Sequence, residues 1–260
     1  MNIELLGKKA IVCGSTRGIG KAVAIELASL GASVILVARN AAELSKVQSE
    51  LGGPGKHSFI SADFENPDEL KKNVNAFIAA NGPIHILVNN TGGPPGGPIT
   101  SAGTDEFLKA FSSHLICNQI LAQAVVDGMK KEGYGRIINI ISTSVKQPLK
   151  GLGVSNTIRA AVGNWSKTWS NEVAAFGITV NNVLPGATMT GRLDSIIDNK
   201  AQKNNLNRKE VEEEMINEIP MRRFAKPEEI ANAVAFLASP AAAYITGINI
   251  PVDGGRTSSL

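Results

Sequence analysis

The chain has 260 residues, 43% of them hydrophobic and 19% charged, which is enough globular chain for one large α/β domain with a filled core. Its net charge of +3 comes with no long run of Lys and Arg; the clusters Lys130-Lys131 and Arg222-Arg223 read as solvated helix ends or loops, so no nucleic-acid partner is expected. No stretch reaches the ~18 uninterrupted apolar residues of a membrane helix, Glu4, Lys8 and Lys9 interrupt any leader-like start, and the two cysteines, Cys13 and Cys117, fit a reducing compartment, so a cytoplasmic protein with no membrane partner is the expectation.

Lys8 to Cys13 reads as a short apolar strand. Gly14-Ser15-Thr16-Arg17-Gly18-Ile19-Gly20 follows at once, and then the helical pattern Ala22, Val23, Ile25, Leu27, Ala28, Leu30. Strand, glycine-rich turn and helix form a phosphate-binding context. The glycines let a pyrophosphate approach the backbone, and the helix N-terminus offers unpaired N–H groups and a positive dipole end. Ser33 to Ala38 is a second buried strand, ending in Arg39-Asn40. An acidic residue at this strand end would accept hydrogen bonds from an adenosine ribose. Arg39 stands there instead, with Arg17 in the glycine loop. Two guanidiniums suit a 2′-phosphate, so the expected cofactor is NADP(H).

Ala41 to Leu51 reads as a helix, His57 to Ala62 as a strand ending in Asp63-Phe64, Pro67 to Ala80 as a helix and Ile84 to Val88 as a strand ending in Asn89-Asn90-Thr91-Gly92. This alternation predicts an α/β fold: a Rossmann-type, doubly wound parallel sheet with its ligand beyond the strand carboxyl ends. Gly92 to Pro98 is a rigid, kinked loop, a wall beside the nicotinamide end. Thr104 is expected to cap one helix running to about Lys131, and Arg136 to Ile141 forms the fifth strand. The stretch Ser142 to Arg159 leads into a helix over about 154–176, followed by the strand Ile178 to Leu184 and the loop Pro185-Gly186-Ala187-Thr188-Met189-Thr190. Residues 191–225 read as a substrate lid within the single domain 1–260: a short amphipathic helix carrying Arg192 and Ile197, a polar flexible segment over 198–208, and a charged helix to Glu218. Pro227 to Ala238 and Ile248 to Val252 are the last helix and strand, and no metal-ligand cluster stands out.

These motifs stand together as Gly14-xxx-Gly18-x-Gly20, Asp63, Asn89-Asn90-Thr91-Gly92, Arg136-Ile-Ile-Asn-Ile, Ile178-Thr-Val-Asn, Pro185-Gly186, Arg223-Phe-Ala-Lys-Pro-Glu-Glu-Ile and Val252-Asp-Gly-Gly. With them the chain resembles the short-chain dehydrogenase/reductase family over nearly its whole length, and within it most resembles the 3-oxoacyl-acyl-carrier-protein reductases. The resemblance implies a sheet of seven parallel strands. It implies cofactor contacts from the glycine loop, from Asp63 to the adenine, from Asn90 to the ribose and from Thr188 or Thr190 to the carboxamide, with Phe64, Gly92, Pro185 and Gly186 in the same set. It also implies a small carbonyl or alcohol substrate, an acyl chain among the candidates, and a homodimer or homotetramer. Cys13 stands where the family usually has threonine.

The catalytic positions depart from the family's asparagine, serine, tyrosine and lysine. Ser142 takes the serine position, but Ser155 stands at the tyrosine, Arg159 at the lysine and His114 at the asparagine. Neither Tyr134 nor Tyr244 is followed four residues later by lysine. A serine hydroxyl is too weak an acid to replace tyrosine unaided, whereas Arg159 can bind a ribose or stabilise an alkoxide. One scheme therefore has Ser142 and Ser155 orient the carbonyl, Arg159 stabilise the oxyanion and His114 supply the proton, although a nearby Arg159 would lower the His114 pKa. Lys146 and Lys150 are other loop candidates for the acid. The chain also resembles an atypical subgroup lacking the usual four residues, through Gly92-Gly93-Pro94-Pro95 and Ser155-Asn156-Thr157-Ile158-Arg159. The expected function is an NADP(H)-dependent oxidoreductase, reducing a 3-oxoacyl-like carbonyl or oxidising an alcohol, with an atypical catalytic set. The alternative is an inactive NADP(H)-binding sensor or scaffold.

Overall fold

The computed structural model describes residues 1–259. Seven parallel strands form one sheet: β1 (Lys9–Cys13), β2 (Ser33–Ala38), β3 (Ser58–Ser61), β4 (Ile86–Asn89), β5 (Gly135–Ile140), β6 (Ile178–Pro185) and β7 (Asn249–Val252). Their spatial order is β3-β2-β1-β4-β5-β6-β7. The order reverses between β1 and β4, which opens a crevice at the carboxyl ends of those strands.

Alternate residues of each strand feed two different cores. Ala10, Val12, Val34, Leu36, Ile86, Val88, Ile138 and Ile140 face one side. There they meet α1 (Gly18–Ser29), α2 (Ala41–Glu50) and α9 (Pro227–Ala238). Ile11, Ile35, Val37, Leu87 and Ile137 face the other. They meet α3 (Pro67–Asn81), α5 (Cys117–Glu132) and α6 (Gly153–Val173). The period of two and the near-continuous apolar strands are what a sheet buried on both faces requires.

One polar feature crosses the α5/α6 face. Asn89 donates to Asn139 at 2.8 Å, Asn139 to Asn182 at 2.9 Å and Asn182 to Asn249 at 2.8 Å. These four residues are register partners across β4, β5, β6 and β7. A buried amide ladder of this kind penalises any slip in register, because each slipped amide would lose its partner.

Two expectations need correction. The helix expected from Thr104 to about Lys131 runs without a break to Glu132, but a π-turn over Ser112–Ile116 divides it into α4 (Thr104–Phe111) and α5. Thr104 is not its cap; Gly103 is, and its N–H donates to Glu106 Oε1 at 2.9 Å. The segment expected to be flexible over 198–208 is helical as far as Asn204, in α7 (Gly191–Asn204). Arg208, first residue of α8 (Arg208–Asn217), explains this: it reaches back to Asp194 and Asp198 on α7 while bonding Glu212 on its own helix. Leu193, Ile197, Val211 and Met215 bury a small core between the two helices. The helix expected over about 154–176 ends at Val173 and passes into a 3-10 turn over Ala174–Phe176, and the remaining boundaries move by one or two residues, with β3 and β7 shorter than expected.

Asn139→Ala removes the centre of the amide ladder and leaves a donor on Asn89 and an acceptor on Asn182 unpaired. At about 1–3 kcal/mol for each buried group, urea unfolding should show a loss of about 3 kcal/mol or more. A loss below about 1 kcal/mol would show that the ladder does not stabilise the sheet.

Candidate active site

Because the strands are parallel, the residues singled out along the chain come together at one sheet edge. Gly14 follows β1, Arg39 follows β2, Asp63 lies just beyond β3, Asn90 follows β4, Ser142 lies just beyond β5, and Pro185 ends β6.

The glycine loop is packed to the limit. Gly14 and Gly18 have φ of 59° and 55°, in the left-handed region that favours glycine. A Cβ on Gly20 would stand 2.2 Å from Gly14 O, and one on Gly14 would stand 2.5 Å from Asn90 O. Asn90 Nδ2 donates to Cys13 O at 3.2 Å, so its side chain clamps the loop from the β4 side. Ser15 is buried and its Oγ accepts from Val37 N at 3.1 Å, tying the loop to β2. The buried Cys13 thiol is pushed well above its usual range by burial, which keeps it unreactive. Thr16 and Ile19 are half-buried at the loop, Ile19 against the α1-side core.

Arg17 and Arg39 are exposed, and neither has a carboxylate partner among the described residues. Asp63 Oδ1 accepts from Glu65 N at 3.0 Å, and Phe64 packs partly buried on the α5-side core. On the opposite wall, Gly186 N donates to Val252 O at 2.9 Å, and a Cβ on Gly186 would meet Asp253 Cα at 2.7 Å. Thr188 is buried, with its hydroxyl on Gly186 O at 3.1 Å. Thr190 caps α7, and its Cγ2 would stand 3.1 Å from a Cβ on Gly18. The Pro185–Thr190 loop and the glycine loop therefore face each other across a narrow cleft. Its close backbone approaches and free basic groups fit a dinucleotide carrying a 2′-phosphate.

Ser142 caps a short turn over Thr143–Val145, accepting from Ser144 N at 3.1 Å. Ser155 and Arg159 lie one helical turn apart on the buried face of α6. Arg159 is 9% exposed. Its Nη1 donates to Ile140 O at 3.1 Å, while its Nε is buried without a partner. Burial, helped by the charge of Arg192, pulls Arg159 down to about 10, which leaves it charged at neutral pH. Asn156 grips the preceding loop through both Leu149 N and Leu149 O, which holds the start of α6 in place.

His114 sits in the π-turn, buried, with Nδ1 2.5 Å from Thr91 Oγ1. Such turns shift a helix register by one residue and often place a functional side chain. Burial first, and Arg159 second, push His114 down to about 2. Such a shift holds the imidazole neutral at neutral pH, which speaks against His114 as an imidazolium acid. No tyrosine replaces it: Tyr134 precedes β5 at the opposite edge of the sheet and donates to Ala238 O, and Tyr244 is fully exposed. Lys150 is exposed, and Lys146 ends the Thr143–Val145 turn.

Two site residues lie outside the expected set. Thr91, inside the quoted Asn89-Asn90-Thr91-Gly92 motif, is the partner of His114. Arg192, expected only as part of the lid helix, bonds Pro94 O at 2.7 Å and joins Arg159 beside Gly93. The loop from Gly92 to Pro98 is fastened to the start of α6 by Gly97 N on Gly151 O at 2.7 Å and Gly153 N on Gly97 O at 3.1 Å. Gly92 itself is exposed at its start.

Comparison with known proteins agrees with this fold. The family model described as enoyl-(acyl carrier protein) reductase matches residues 14–257. The 3-oxoacyl-[acyl-carrier-protein] reductase FabG of Vibrio cholerae is 36% identical over 257 residues, covering 98% of each chain. The NADPH-dependent reductase BacG of Bacillus subtilis is 32% identical, over 97% of this chain and 99% of the relative. Among solved structures, L-sorbose reductase from Gluconobacter frateurii complexed with NADPH and L-sorbose superposes with a TM-score of 0.93 at 31% identity, over the whole of both chains.

His114 also makes a prediction about stability. An unfolded histidine takes its proton near pH 6.5, while folded His114 resists until about pH 2. Between those values the unfolded chain holds the extra proton, so stability present above pH 6.5 is lost as pH falls, at up to about 1.4 kcal/mol per pH unit. His114→Asn should flatten the fall in urea-unfolding free energy between pH 6 and 4 by most of that slope. An unchanged slope would mean that His114 is protonated in the native state.

Proposed function

The chain belongs to the short-chain dehydrogenase/reductase family, and on that premise we propose that it is an NADP(H)-dependent oxidoreductase of a carbonyl–alcohol pair whose catalytic set is Ser142, Ser155 and Arg159. The observation that carries this reading is the buried Arg159 guanidinium at the cleft, charged and only partly hydrogen-bonded.

NADP(H), when bound, supplies or accepts a hydride; the rest of the chemistry belongs to this chain. The glycine loop from Gly14 to Gly20 and the N-terminus of α1 receive the pyrophosphate. Arg17 and Arg39 take the 2′-phosphate, Asp63 and Phe64 flank the adenine, and Asn90 and Gly92 border the ribose. Pro185, Gly186, Thr188 and Thr190 line the carboxamide end. BacG is named as NADPH-dependent and the Gluconobacter sorbose reductase was solved with NADPH, which supports the same cofactor here.

In the reducing direction Ser142 and Ser155 donate hydrogen bonds that orient the substrate carbonyl. Arg159 donates to the same oxygen and stabilises the negative charge that develops there, which removes the need for a strong acid at the moment of hydride arrival. Water then protonates the alkoxide. Neutral His114 holds Thr91 and lines the pocket without delivering a proton. The helices α7 and α8 form a lid over the substrate side, with Arg192 as its inner residue. Exposed Leu108, Phe111 and Ile116 on the α4–α5 face support assembly as a homodimer or homotetramer.

The test is direct. NADPH should be consumed with at least one member of a panel of ketones and 3-oxoacyl thioesters, followed at the nicotinamide absorbance band. Arg159→Leu should lower kcat by about 100-fold or more, the scale of a lost oxyanion donor, while Arg159→Lys retains part of it. Arg39→Ala should weaken NADPH binding about tenfold and leave NADH binding nearly unchanged, read by fluorescence titration. Tight NADPH binding without turnover on every substrate would instead make the protein a cofactor-binding sensor or scaffold.

A further inference from the structure

Among the described residues, Arg159 and Arg192 form no salt bridge with any carboxylate. Yet they come from distant parts of the chain to the same place. A Cβ built on Gly93 would lie 3.6 Å from Arg159 Nη2, 3.6 Å from Arg192 Nη2 and 3.7 Å from Arg192 Nε. The two guanidiniums are therefore separated by no more than twice that distance. Each lowers its hydrogen-bond demand only partly, Arg159 through Ile140 O and Arg192 through Pro94 O.

Two like charges brought together in a partly desolvated cleft repel each other. Burial is the main reason Arg159 is shifted downward, and the charge of Arg192 adds to it. Arg159 is held on the buried face of α6, and the exposed Arg192 is tied to the Pro94 carbonyl. The carboxylate nearest in the chain, Asp194, two residues beyond Arg192 on α7, is taken by Arg208. The pair is thus a positive, preorganised fork with unused donors, and Gly93 between them leaves space that a side chain would fill.

We infer that this fork binds a carboxylate carried by the substrate. A carboxylate is planar and offers two oxygens, so it can accept from both guanidiniums at once, which is the geometry arginine recognises best. Arg192 then fixes the substrate's acid group from the lid side, while Arg159 serves both the acid group and the reacting oxygen. The substrate class is an oxo acid or hydroxy acid, with the carbonyl close to the carboxylate. This inference rests on the reading of the cleft as the catalytic site.

Its test separates the two. The NADPH-loaded protein is titrated calorimetrically with unreactive monocarboxylates from acetate to octanoate and phenylacetate, each against its methyl ester. At least one acid should bind ten times or more tightly than its ester, and Arg192→Leu should erase most of that preference while Arg192→Lys keeps part of it. Arg192 is exposed, so the variants should fold, which thermal unfolding checks. If no acid outbinds its ester, or if Arg192→Leu leaves the preference intact, the fork is not a carboxylate site. Inorganic phosphate binding more tightly than every acid would also overturn it. Acids that bind as expected, with no oxo acid consuming NADPH, would keep the anion site and remove the hydride-transfer reading. Oxo esters reduced as well as oxo acids would do the reverse.

Discussion

A charged guanidinium that is nine-tenths removed from water, with one carbonyl as its hydrogen-bond partner, is expensive to fold around. The desolvation penalty for such an ion is several kcal/mol. A protein that needed only packing at Arg159 could use leucine or methionine at less cost. Its presence there therefore points to a task. The surrounding structure holds that charge in one place: β5 supplies Ile140 O, α6 fixes the side chain's root, and Asn156 locks the loop that starts α6. The loop from Gly92 to Pro98 closes over it and is itself fastened to Gly151 and Gly153.

The same charge shapes its neighbours. His114 is kept neutral by burial and by Arg159, so the residue that sequence chemistry offers as the natural acid is not an imidazolium at neutral pH. Thr91 completes its hydrogen bonding. Among the described residues, the proposed site thus brings together hydroxyls, a neutral imidazole and a cation. In the mechanism we propose, chemistry there relies on charge stabilisation and on solvent protons, in place of a tyrosine whose pKa a lysine lowers. The amide ladder from Asn89 to Asn249 runs beneath this region and fixes the register of the strands that deliver Ser142 and the Pro185–Thr190 loop.

Most of the fold was legible in the sequence because its signals are local. Apolar runs such as Ser33 to Ala38 bounded by glycine or asparagine turns mark buried parallel strands, and Pro227 opening a helix marks its first turn. Parallel strands then bring Gly14, Arg39, Asp63 and Asn90 to one edge without further information. What was not legible depends on distant partners. The π-turn that presents His114 has no composition signature. The helix through Asn204 is held by Arg208 from the next helix. Arg192 reaches Pro94, far away in the chain, and so could be read only as part of a lid. Thr91 lay inside a recognised motif, but its role follows from the position of His114.

The central claim is that an arginine cation, with no neutral-pH acid, performs the role of the tyrosine–lysine pair. The pH profile of kcat for NADPH-dependent reduction of a turned-over substrate tests it most directly. Because Arg159 stays charged until about pH 10 and His114 stays neutral down to about pH 2, the profile should be flat between pH 6 and 9 within the limits of NADPH stability. An inflection near pH 6 to 8 that disappears in His114→Asn would contradict it, since that would identify His114 as the proton donor after all.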